Sequence, residues 1–107
     1  MKRFEIFAYG TLLNPAIQES IIGSEIKGTP DELIGYRKTT VTIDSHTYPD
    51  LVADSDSSVS GKILSVTAEE LERIDAYEGQ EYKRIKLRLS SGKTAFVYLA
   101  TWCCPVE

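Results

Sequence analysis

The chain is poor in the residues that most often carry chemistry. Its 107 residues include one His, two Cys, one Met and one Trp. Cys103 and Cys104 are adjacent. Neighbouring cysteines close only a strained ring, and in a strand they point to opposite faces, so they read as reduced thiols rather than a disulfide framework. A cysteine nucleophile wants a histidine partner, and no spacing ties His46 to either thiol. One His with two vicinal Cys also fails the tetrahedral closure of a zinc site, and His46 is assigned no role. Long apolar runs are missing too. Nothing approaches the roughly 20 residues of a membrane span, and Glu5 and Gly10 break the stretch that a signal peptide would need behind Lys2 and Arg3. Positive charge is scarce: 12 Lys and Arg stand against 16 Asp and Glu, a net charge of −4. That balance excludes the basic face required by a nucleic-acid groove or an anionic membrane surface. No repeat, low-complexity tract or linker divides residues 1–107. A single cytoplasmic domain is expected.

What is present is a pattern of short elements. Phe4, Ile6 and Ala8 alternate with Glu5 and Tyr9, which predicts a strand over residues 3–9, interrupted by Gly10 and Thr11. Asn14 followed by Pro15 is a helix cap with proline at the first helical position, where its missing N–H does no harm. Ile17, Ile21 and Ile22 supply the apolar stripe, and Gly23 the stop. Gly28 and Pro30 mark a turn before the β-rich residues 33–43. Residues 44–60, dominated by Asp, Ser and Pro, read as the loosest part of the chain. A strand over Gly61 to Val66 follows. Thr67 and Glu70 form a capping box for a helix through Tyr77, ended by Gly79. Residues 82–89 and 94–102 flank Ser90-Ser91-Gly92-Lys93, a hairpin signal. The order predicts an α+β domain with a mostly β core.

Two features bear on chemistry. Glu78 lies four residues after Ile74 and seven after Leu71, so helical periodicity sets its carboxylate on the apolar stripe. It also falls in the last turn, where the helix dipole disfavours negative charge. Both effects raise a carboxyl pKa, as a general acid or base requires; the other reading of Glu78 is a solvated helix end. The second feature is Tyr9-Gly10-Thr11-Leu12, a glycine turn ahead of a capped helix. Such a turn either aims N–H groups at an anion or is simply a turn; it lacks the glycine spacing and Lys of a phosphate loop. Asp44, Asp50, Asp54 and Asp56 lack the Gly and terminal Glu of a calcium loop and read as solvated. Asp75 and Glu78, three apart on one helix, cannot flank a substrate bond from opposite sides. Of the six tyrosines, Tyr48 and Tyr82 are read as pocket-lining.

Phe7-Ala8-Tyr9-Gly10-Thr11-Leu12 and the stretch from Leu71 to Gly79, followed by Tyr82-Lys83-Arg84, together resemble the gamma-glutamylcyclotransferase-like family. Gly35-Tyr36, Tyr48-Pro49 with Leu51-Val52, and Val59-Ser60-Gly61-Lys62-Ile63 are similar as well. The resemblance implies a small mixed β-barrel with flanking short helices and no metal or organic cofactor. It implies a small-molecule γ-glutamyl substrate whose own α-amine attacks its side-chain carbonyl, releasing 5-oxoproline and an amine. It sets the catalytic glutamate on Glu78 and the substrate-cradling loop on Tyr9, Gly10, Thr11 and Leu12. A monomer or weak homodimer is expected. The competing reading is a non-catalytic binding or interaction domain on the same scaffold.

Overall fold

A computed structural model describes residues 2–43, 45–79 and 82–100, apart from the side chains of Val41, Ile43, His46, Tyr48, Pro49 and Ala100. In chain order the elements are β1 (Phe4–Ala8), a 3-10 turn (Thr11–Leu13), α1 (Pro15–Ile22), β2 (Thr29–Ile43), β3 (His46–Val66), α2 (Ala68–Glu78), β4 (Tyr82–Arg88) and β5 (Thr94–Ala100). The strands form one sheet in the order β2-β3-β1-β5-β4, with β1 and β5 parallel and every other pair antiparallel. The fold is α+β, a five-stranded half-barrel with two helices.

The two faces of the sheet explain the curl. Among the described residues, Phe7, Leu33, Val59, Ile63 and Val97 gather on one face with no helix residue among them, so this face buries its apolar surface by bending onto itself. Asp31 holds the bend at one end: its carboxylate accepts from the N–H and hydroxyl of Ser91, in the turn between β4 and β5, and Ser90 N–H donates to Glu32 O at 2.7 Å. The opposite face packs Ile6, Ala8, Leu64 and Val66 against Ile22 of α1 and Leu71 and Ile74 of α2. Between the strands, Gly61 has a steric task. A Cβ there would stand 2.3 Å from Ala8 O and 2.8 Å from the Phe7 ring, so only glycine lets β3 lie this close to the end of β1.

Four expectations are corrected. Residues 46–60 are no loop: they belong to β3, paired with β2 as far as Ile43↔His46. Asp and Ser look like turn formers, but an outward strand face next to solvent accepts them, and the β-branched run in β2 supplies the partner. Only the bulge resembles the expected loop. Ile34 pairs with Ser58 and Tyr36 with Ala53, so Asp54, Ser55, Asp56 and Ser57 stand opposite Gly35 alone. Asp50, expected to be solvated, is fully buried. Pro30 lies inside β2 rather than before it, tolerated because β2 is an edge strand. On α1 the buried stripe is Gln18 and Ile22 rather than the three isoleucines. Asp44, Cys103 and Cys104 lie outside the described residues.

Candidate functional site

Pairing decides which ends of the elements meet. Phe4 sits opposite Val66 and Ala8 opposite Lys62, so α2, leaving β3 after Val66, starts beside the beginning of β1 and runs back along it. β5 runs parallel to β1, with Ile6 beside Phe96. The carboxyl ends of β1, α2 and β5 therefore converge, and a cavity of about 330 Å³ lies there. Tyr9, Gly10, Thr11 and Leu12 form one wall, Tyr77 and Glu78 another, with Tyr82 and Tyr98 between them and Thr47 reaching in from β3. Ile6, Phe7 and Ala8 line its base. The volume is at the small end of the range for small-molecule sites.

Each wall has a local cause. The capping box of α2 is complete: the Thr67 hydroxyl accepts from Glu70 N–H at 3.2 Å and the Glu70 carboxylate from Thr67 N–H at 2.9 Å. Leu71 and Ile74 then set the buried stripe, and Glu78 follows on it, half-buried. Gly79, at φ +78°, ends the helix by donating its N–H to Asp75 O at 3.0 Å. Burial pushes the Glu78 carboxyl up to about 7, and the negative charge of Asp75 adds to the rise. Glu78 is thus no solvated helix end. A fixed neighbouring charge assists desolvation.

The loop is built differently from the glycine turn expected. Gly10 has φ −132°, outside the left-handed region. The chain turns instead through 3-10 bonds, Leu13 N–H to Gly10 O at 3.0 Å and Asn14 N–H to Thr11 O at 2.9 Å. Gln18, almost fully buried, braces it by donating to Leu12 O at 2.8 Å while its own oxygen accepts from Ile26 N–H at 2.8 Å. Across the cavity mouth, the Thr11 and Tyr77 hydroxyls are bonded at 2.7 Å. Tyr9 OH donates to Tyr98 O at 2.6 Å.

The structure brings Glu78, Tyr9, Gly10, Thr11, Leu12 and Tyr82 to one cavity. The side chain of Tyr48 lies outside the described residues; its backbone pairs with Val41. Sequence reasoning gave no site role to Tyr98, Tyr77, Arg84 and Gln18, and weighed Asp75 only as a paired acid for Glu78. Tyr98 donates its hydroxyl to Asp75, which Arg84 grips through Nε at 3.0 Å and Nη2 at 2.9 Å. Burial, then the bond to Asp75, drives the Tyr98 pKa up, so its hydroxyl remains a donor. Gln18 alone left a trace in the sequence, four residues before buried Ile22. Among the described residues, no three His, Cys, Asp or Glu side chains are gathered as a metal ion would need. Among the described residues, no helix is long and apolar enough to cross a membrane.

The half-barrel fold has known counterparts. A solution structure from Arabidopsis thaliana superposes with a TM-score of 0.80 at 23% identity, over 98% of this chain and 66% of that one. A gamma-glutamyl cyclotransferase superposes at 0.75 and 19% identity, over 94% of this chain and 68% of that one. At such identities the likeness defines the fold class alone. The sequence goes further: the family model of gamma-glutamyl cyclotransferase, AIG2-like proteins matches residues 6–105, and the chain belongs to that family. Protein AIG2 C of Arabidopsis thaliana is 29% identical over 85 residues, 78% of this chain and 50% of that protein. AIG2-like protein A of the same plant is 31% identical over 81 residues, 75% of this chain and 48% of that protein. The chain spans about half the length of these relatives.

Proposed function

We propose that the protein is a γ-glutamyl cyclotransferase acting on a γ-glutamyl amino acid or amine. The observation that carries this reading is a half-buried carboxylate, Glu78, with its pKa pushed up to about 7, in one small cavity with the Tyr9–Leu12 loop. The substrate's α-amine attacks its own side-chain carbonyl carbon, a C–N bond forms, and the amide C–N bond to the leaving amine breaks. No atom is left over: the proton released by the attacking amine goes to Glu78 and from there to the departing nitrogen. At pH 7 both forms of such a carboxyl are populated, as a group that must accept and then donate requires. Because the nucleophile belongs to the substrate, the protein needs mainly to hold it bent; well-oriented intramolecular reactions gain up to roughly 7–11 kcal/mol this way. N–H groups of the Tyr9–Leu12 loop are the donors for the glutamyl carboxylate or the developing oxyanion.

The same reading makes residues 1–107 a single, cytoplasmic, cofactor-free catalytic domain, monomeric or weakly dimeric, with Tyr82 and Tyr48 flanking the substrate. The test is release of 5-oxoproline from a panel of γ-glutamyl amino acids and amines, by the parent and by Glu78→Gln. An active parent and a disabled variant uphold it. Equal activity removes Glu78 from the mechanism, and a parent that binds a panel member without turnover makes the chain a binding domain.

A further inference from the structure

We propose that Asp75 is a positioning residue of this site: gripped by Arg84, its carboxylate ties the Tyr98 hydroxyl to α2 and so fixes the cavity wall beside Glu78. The inference rests on the cyclotransferase reading for its effect on turnover, but not for its geometry.

Three elements meet at this carboxylate. Arg84 of β4 donates Nε to one Asp75 oxygen and Nη2 to the other, a two-pronged fork that fixes the plane of the carboxylate. The guanidinium also lies 4.6 Å from the centre of the Phe96 ring, which holds it from behind. Tyr98 of β5 donates its hydroxyl to the Asp75 oxygen that receives Arg84 Nε. The main-chain oxygen of Tyr98 in turn accepts from Tyr9 at the start of the loop. The chain of contacts therefore runs from the loop through β5 to α2 and β4, skirting the cavity at each step.

Stability alone does not account for the arrangement. Arg84 and Asp75 are 29% and 38% exposed, and ion pairs so near water contribute little to folding. Their placement matters for Glu78, one helical turn further along α2. The charged and titratable groups around it among the described residues are Asp75 and Tyr77 on its own helix, Tyr9 on the loop, Tyr82 and Arg84 on β4, and Tyr98 on β5. Of these only Asp75 is a second carboxylate. Arg84 offsets part of its charge, so fork and carboxylate act on Glu78 in opposite directions.

That opposition provides the test. The Glu78 side-chain carboxyl is titrated by carbon NMR in the full chain, alongside kcat/KM against pH for 5-oxoproline release. Asp75→Asn keeps a partner for Tyr98 but removes the negative neighbour, so the Glu78 midpoint and the acid limb of kcat/KM move down by roughly 0.5–1 pH unit. Arg84→Gln leaves Asp75 uncompensated, and both move up. Arg84→Lys keeps the charge and loses the fork: the midpoint stays at the parent value while kcat falls several-fold. Midpoints that stay fixed, or that move the same way in Asp75→Asn and Arg84→Gln, overturn the inference. So does an Arg84→Lys variant with parental kcat. Should Asp75→Asn not fold, a raised midpoint in Arg84→Gln beside an unmoved one in Arg84→Lys upholds it, and the reverse overturns it. A chain that releases no 5-oxoproline sinks the cyclotransferase reading instead, and the NMR midpoints still decide this one.

Discussion

Carboxylates at the two ends of this molecule are treated in opposite ways. At the turn between β4 and β5, Asp31 accepts from Ser91 and from Glu32 N–H, and its pKa is lowered, chiefly by the Ser91 hydroxyl. At the bulge of β3, Asp54 accepts from Asp56 N–H, Ser57 and Arg37, and its pKa is lowered too, the Asp56 bond leading. Both are closing turns, and donors gather around them. Glu78 is deprived of water and faces another carboxylate, and its pKa rises. A carboxylate that serves the fold is given partners that favour its charge. Glu78 is placed where its charge is disfavoured, a placement that clusters at functional sites.

Replacing Glu78 tests the contrast most directly. Glu78→Gln keeps shape and hydrogen bonding but cannot take a proton, so kcat for 5-oxoproline release should fall by roughly 10²–10⁴-fold with little change in substrate binding. A steady-state comparison on the best substrate reads both numbers. Parental kcat in the variant would erase the distinction between Glu78 and the aspartates.

Stability against pH comes next in size. The folded pKa of Glu78 is raised from 4.5 to about 7, so the folded state binds its proton more tightly than the unfolded chain does. Its contribution is therefore complete below about pH 4.5 and is lost as pH rises through about 7. Glu78→Gln does not titrate, so it should match the parent in thermal melts at pH 4 and exceed it at pH 8, by at most about 3 kcal/mol. Asp31 and Asp54 slope the other way, their contribution being present above their ordinary pKa and lost as pH falls through the depressed one. A gap that closes with rising pH would contradict the burial of Glu78.

Gln18→Ala sharpens the comparison from the loop side. It strands Leu12 O and Ile26 N–H, and should cost roughly 1–3 kcal/mol in denaturant unfolding while raising KM more than it lowers kcat. A variant with unchanged KM would show that the loop is held without this brace. The smallest effect is expected for Asp54→Asn, which should leave kcat and KM at parental values. A change in either would extend the functional site to the bulge.

Local signals in the sequence were read well where a residue acts on its immediate neighbours. Asn14 and Pro15 open α1, Thr67 and Glu70 open α2, and Gly23 and Gly79 end them, because caps and stops act within one turn. The hairpin around Ser90 to Lys93 was legible for the same reason, with Arg88 opposite Thr94. The periodicity of α2 likewise turned Glu78 onto the face of Leu71 and Ile74. Residues 46–60 were not legible, since their strand state comes from pairing with β2 on both sides of the bulge. That partnership is invisible in a stretch of Asp and Ser.

The site divides along the same line. The sequence alone determined that a carboxylate would sit on an apolar stripe at the end of a capped helix, and that a turn would link β1 to α1. Which groups surround that carboxylate was decided by tertiary structure. Asp75 lies three residues before Glu78, but its partners Arg84 and Tyr98 are 9 and 23 residues away in sequence, and Tyr9 is 89 residues from Tyr98. Antiparallel pairing of β4 with β5 sets Arg84 opposite Tyr98, and the parallel pairing of β1 with β5 brings Tyr9 to the same end of the sheet. Helix periodicity is a property of consecutive residues, whereas desolvation and neighbouring charge depend on what the rest of the fold packs against them.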